Sequence, residues 1–168
     1  MALELKELDD LSRGLIFRRR PISIPGDLRP AWRIGLIVLL LSKCCRGGRT
    51  SLARLHVLSW ASRTEPARAS LRAALGGTES PDSLVVRFEP ALNRAVDFAR
   101  GEGLVRRVDG NKIELTDAGK ALGRELDNDK EAFVAEKAFA AELGFKVTEK
   151  IIDHMFINSL TKSSTIEL

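Results

Sequence analysis

Tyrosine is absent from the chain, tryptophan occurs twice, and aromatic residues make up 5% of it. That scarcity withholds one of the residues that most often anchor protein interfaces. Trp32 and Trp60 lie beside apolar helical stripes and read as core residues. The only cysteines, Cys44 and Cys45, are adjacent. Such a pair has neither the spacing of a structural zinc site nor a second pair to complete one, so both read as helix residues in a reducing compartment. The one long apolar run, Ile34 to Leu41, falls far short of the ~20 residues that cross a bilayer, and no charged-then-apolar leader opens the chain. The expectation is a soluble, cytoplasmic protein with no membrane partner.

Catalytic groupings are equally sparse. His56 sits beside Leu55 and Val57, and His154 follows Asp153. Neither has a partner at metal-ligand spacing, so both read as structural or surface histidines rather than ligands. Gly47-Gly48 and Gly76-Gly77 lack the phosphate-cradling pattern of a P-loop and read as helix stops, and Gly101-Glu102-Gly103 reads as a turn. No nucleophile elbow or carboxylate pair stands out, and Cys44 has no adjacent histidine. A small hydrolase or nuclease would need a cluster that the sequence does not display. The reading is a non-enzyme without cofactor or metal.

What is present is an ordinary globular composition with an uneven charge distribution. The 168 residues are 44% hydrophobic and 30% charged, enough for one domain with a core and too few for two large ones. Between Arg13 and Arg72 stand 13 basic residues against two acids, Asp27 and Glu65, a local charge of +11. From Gly77 onward the balance is 13 basic to 17 acidic, or −4. Such asymmetry suits a front part that meets nucleic acid or an acidic protein surface, although a solvated arginine-rich face has the same composition.

Periodicity and punctuation give an element order. Residues 1–29 read as an N-terminal arm, with Leu15 to Ile24 extended and closed by Pro25-Gly26. A central helix starts near Pro30 and is apolar on nearly all sides through Cys44. Thr50 or Ser51 caps the next helix, Thr64-Glu65-Pro66 opens a third that runs to Leu75, and Leu84 to Phe88 reads as extended. A helix from Pro90 to Arg100 turns Leu92, Ala95, Val96 and Ala99 inward. Strands 104–108 and 112–115 flank Asp109-Gly110-Asn111, a hairpin signal, and Thr116 caps a following helix. Lys130 to Leu143 reads as one helix, Thr148 starts the last, and the tail from Ser159 reads as loose. The C-terminal helix pair, in residues 127–168, suits docking on another subunit.

Helix, Gly-x-Gly turn, strand, tight turn, strand and then Leu115-Thr116-Asp117-Ala118-Gly119 form the winged-helix pattern, in which a hairpin follows the recognition helix. The fold expected is mainly α with a small β hairpin, a winged-helix domain over residues 30–126. On its recognition helix the outward residues are Asn93, Arg94, Asp97 and Arg100, with Asp97 placed to pair with Arg94. Arg106, Arg107 and Lys112 of the wing could meet phosphates but are offset by Asp109 and Glu114. A base-reading helix needs more donors than this, so the balance favours a protein-binding wing over a sequence-specific reader.

Arg29-Pro30-Ala31-Trp32-Arg33, Cys45-Arg46-Gly47-Gly48-Arg49 and Arg87-Phe88-Glu89-Pro90-Ala91-Leu92-Asn93-Arg94-Ala95 before Gly103-Leu104-Val105 resemble the small middle component of bacterial ABC-type three-component systems, the class that includes Lamassu-like defence operons. The resemblance spans roughly residues 20 to 125. It implies a non-catalytic winged-helix accessory subunit that bridges or stabilises an SMC- or Rad50-like ATPase and an effector nuclease acting against phage or plasmid DNA. The interface expected from it uses Arg18, Arg19, Arg20, Arg29 and Arg33 together with Asn93 and Arg94. The basic stretch fits an acidic coiled-coil surface and fits equally a DNA backbone held inside the complex. The alternative is a free-standing dimeric transcription regulator that binds a palindromic operator.

Overall fold

The computed structural model describes residues 29–163 apart from 85, 87, 88, 110 and 111. Seven α-helices and one three-stranded antiparallel sheet occur among the described residues. Arg18, Arg19 and Arg20, with the rest of the arm before Arg29, lie outside them.

Helix α1, Pro30–Cys44, begins with proline in its first turn, where the missing N–H has no helical partner to lose. Every residue from Leu36 to Leu41 is buried. This all-round apolarity makes α1 the axis of the molecule, and other helices pack against its several sides. Gly47 and Gly48, at φ +66 and +68, turn the chain out of the helix through a conformation that disfavours side chains. Cys45 lies just past the helix end, buried and extended, and is not a helix residue as expected.

A short strand follows that the sequence did not announce, β1 at Arg49–Ser51. Its Thr50 is buried opposite Ile113. Ser51 accepts the Arg54 N–H and caps α2, Leu52–Arg63, while Thr64 accepts the Ala67 N–H and caps α3, Glu65–Leu75. After a single 3-10 turn at Pro81–Ser83 comes α4, Pro90–Gly101, which buries the four residues expected, Leu92, Ala95, Val96 and Ala99. Of the segment expected to be extended, Leu84 and Val86 are described, half-buried and outside any strand.

Strands β2, Val105–Val108, and β3, Lys112–Leu115, pair antiparallel, and β1 lies on the other side of β3. Thr116 caps α5, Asp117–Asn128, by accepting the Gly119 N–H at 3.1 Å. Gly119 is required at that point, because a Cβ there would sit 2.0 Å from the Leu104 carbonyl oxygen.

Downstream, tertiary packing overrides local propensity. Residues 130–133 do not join the expected helix, and α6 starts only at Val134–Leu143. Asp129 accepts the N–H groups of Glu131 and Ala132, and Phe133 takes a left-handed conformation at φ 54. That bend packs the Phe133 ring against Gly35 of α1 and within 5.7 Å of the Trp32 ring centre. The final helix α7, Glu149–Ser163, continues past Ser159, where a loose tail was expected. Phe139, Ala140, Leu143, Val147, Ile152 and Met155 join Leu36, Leu58 and Leu92 in a single hydrophobic cluster. A boundary between residues 126 and 127 therefore passes through one core, and the inner faces of α6 and α7 are spent on it.

Candidate functional site

The N-terminus of α4 is held by side chains from two other helices. Glu89, its N-cap residue, receives Arg33 of α1 at 2.8 Å and also Arg63 of α2. His56 of α2, 2% exposed, accepts the Glu89 N–H at Nδ1 over 3.3 Å. Its proton must then sit on Nε2, which donates to Asn93 Oδ1 at 2.9 Å. Burial lowers the pKa of His56, against the opposing effects of the Asn93 hydrogen bond and the Glu89 charge.

Two of the residues expected at an interface are therefore structural. Arg33 is buried and ties α1 to α4, because a buried guanidinium needs a carboxylate and Glu89 supplies it. Asn93 has its side-chain oxygen committed to His56. No such role is expected of Glu89 or Arg63 from the sequence, whereas His56, expected to be structural or on the surface, is buried and structural. A carboxylate directly before a proline-initiated helix was the available signal, but its partners lie 26 to 56 residues away.

What α4 presents outward is a stripe of Ala91, Arg94 and Phe98, one helical turn apart and all exposed. Phe98 is 54% exposed, unusually open for a large apolar side chain. The stripe borders a groove of about 240 Å³ against Pro30 and Arg33. Asp97 pairs with Arg100 at 3.5 Å rather than with Arg94 as expected, so Arg94 makes no ion pair among the described residues. Arg29, exposed, precedes Pro30 at the start of α1.

The sheet separates the remaining candidates. Arg106 and Arg107 are consecutive in β2 and so face opposite sides. Arg106 pairs with Glu114 across the strands at 2.8 Å, and Arg49 reaches Asp109 at 3.7 Å, so the acids expected to offset the wing do so by direct contact. Arg107 is exposed and makes no ion pair among the described residues. Lys112 is half-buried and lines a groove with Ile152, Asp153 and Phe156 of α7. The candidates thus do not form one patch. Arg94 alone stands in the α4 stripe beside Phe98.

No family model, no curated protein and no solved structure matches the chain. Among the described residues no group of three or more His, Cys, Asp or Glu side chains could hold a metal ion. Burial pushes the Cys44 thiol up to about 12 and raises Cys45 as well, which leaves both protonated and poorly nucleophilic. Arg54, 8% exposed, spends one guanidinium N–H on the Cys44 carbonyl oxygen at 2.6 Å. His154 is exposed on α7. Among the described residues no helix is long and apolar enough to cross a membrane.

Proposed function

We propose that this chain is a non-catalytic winged-helix accessory subunit that bridges or stabilises an SMC- or Rad50-like ATPase and its effector nuclease in a bacterial anti-phage or anti-plasmid complex. The winged-helix reading rests on the order of α4, β2, β3 and α5, with β1 completing the sheet on the far side of the hairpin. The observation that carries a protein partner is the α4 stripe. It joins an exposed phenylalanine, Phe98, to one arginine, Arg94, that makes no ion pair among the described residues, whereas base readout needs several convergent donors. Asn93, the other candidate reader on this helix, is tied to His56.

Affinity purification of the tagged chain from its source cells, at near-physiological salt with and without nuclease, tests the reading. Recovery of a coiled-coil ATPase and an effector in defined, nuclease-resistant stoichiometry is the expected result. Changing Arg18, Arg19 and Arg20 together to Glu should weaken that assembly. A symmetric dimer that binds a palindromic operator at nanomolar concentration, and loses it on Arg94→Ala, would instead establish the transcription-regulator alternative.

A further inference from the structure

On another side of the molecule, the end of α1, the Gly47-Gly48 turn and α5 enclose an open cleft of about 490 Å³. The volume falls within the range of roughly 300–1,000 Å³ typical of small-molecule sites. Three cations line it, Lys43, Lys120 and Arg124, against a single acid, Asp127. Asp127 is already engaged by Lys43 at 2.6 Å. Lys120 and Arg124 stand one turn apart on the same face of α5, an arrangement in which like charges repel. Lys120 reaches only Asp117 of its own helix, at 3.3 Å, and Arg124 makes no ion pair among the described residues. Positive charge at this cleft therefore exceeds what the surrounding side chains neutralise.

The lining also includes an aromatic ring. Phe145 lines the cleft and is 48% exposed, with the Arg46 guanidinium 5.5 Å from its ring centre. At Gly47 even a Cβ would meet no atom within 4 Å, so the main chain there is open to a ligand. An exposed ring with one guanidinium over it, lining a cleft with unneutralised positive charge, is the combination that single-stranded nucleic acid and nucleotides exploit, by stacking a base and pairing a phosphate.

We infer that this cleft binds a nucleotide, with its phosphate on Lys120 and Arg124 and its base against Phe145. The inference is independent of whether the α4 stripe meets a protein. It supplies a place for nucleic acid that neither the hairpin nor α4 offers.

The test is fluorescence anisotropy of the full chain with a labelled 12-residue oligo-dT, competed by AMP, by inorganic phosphate and by a duplex of equal length. The Lys120→Gln/Arg124→Gln variant should bind at least about tenfold more weakly and lower the salt slope by about 0.7, the value for one lost phosphate contact on a single strand. Phe145→Leu, which keeps apolar bulk without the ring, should cost about tenfold. Arg100→Gln/Lys150→Gln removes the same charge elsewhere and should change affinity by about twofold at most. Melting temperatures verify that each variant is folded, and the exposed Lys120 and Arg124 give a readout even if Phe145→Leu is destabilised. Displacement by AMP at the same nucleotide concentration identifies a free nucleotide as the ligand, and binding of oligo-dT that AMP does not displace identifies a strand. The inference is overturned if neither binds, if the distal variant loses as much as the cleft variant, or if the duplex binds equally and Phe145→Leu changes nothing.

Discussion

Ser51 and Glu149, 98 residues apart, close the N-terminus of α2 together. Ser51 accepts the Arg54 N–H through Oγ and donates the same hydroxyl to Glu149 at 2.6 Å, while its own N–H reaches Glu149 at 2.9 Å. A helix that opens with Ser and has Glu three residues later makes this second bond locally. Here the third residue is Arg54, and the carboxylate comes from the first turn of α7. The C-terminal helix is thereby fastened to the sheet as well as to the core.

Glu149→Gln should destabilise the fold by about 1–2 kcal/mol, and Ser51→Ala by about 1 kcal/mol, through loss of charge-assisted and capping hydrogen bonds. The double variant should cost less than the sum, since both changes break the same contact. Urea denaturation of the four proteins checks this. Additive losses would show that the two residues act separately.

Gly119→Ala should cost about 3 kcal/mol, because the added methyl meets the Leu104 carbonyl oxygen where α5 leaves the sheet. The expected readout is a lower urea midpoint with the slope unchanged.

His56 predicts a pH dependence. Its folded pKa lies below the ordinary 6.5, so above about pH 6.5 it is neutral folded and unfolded, and its contribution is intact. As the pH falls below that value the unfolded chain takes up the proton first, and stability drops until the folded pKa is passed. Protonation would also remove the lone pair that accepts the Glu89 N–H. Denaturation midpoints of the wild type should therefore fall more between pH 7 and pH 5 than those of His56→Gln.

Both thiols should resist Ellman's reagent at pH 8 in the folded protein and react on denaturation. Cys44 is fully buried with its pKa near 12, and Cys45 is 2% exposed. Fast reaction of either thiol in native buffer would show that the end of α1 opens readily.

Phe98→Ala and Arg94→Glu should leave stability within about 0.5 kcal/mol of wild type, since both side chains are exposed. Each should nevertheless weaken assembly with the proposed ATPase partner. Assembly at wild-type strength with both changes in place would remove the α4 stripe from the interface.

Much of the helical framework was legible. The first turns of α1, α2, α3, α4 and α5 begin where Pro30, Ser51, Thr64, Pro90 and Thr116 place them. The buried face of α4 follows from its spacing alone. Less of the candidate site could be read. Arg33 and Asn93 have the composition of contact residues, yet one is buried on Glu89 and the other is bonded to His56. Arg106 and Arg107 are adjacent in sequence but divided by the pleat.

The sequence alone determined where α1 to α5 start, which face of α4 is apolar, and where the hairpin strands lie, because capping, periodicity and turn geometry act over a few residues. Only the tertiary structure decided the partners of the charged groups that pair across elements. It recruited Glu149 to Ser51 and gathered Arg33, Arg63 and His56 at Glu89, and it interrupted a helix-favouring stretch so that Phe133 could pack on Gly35. The reason is range. A hydrogen bond or ion pair needs its groups a few ångströms apart, and for side chains dozens of residues apart in sequence that distance is set by how the whole core packs.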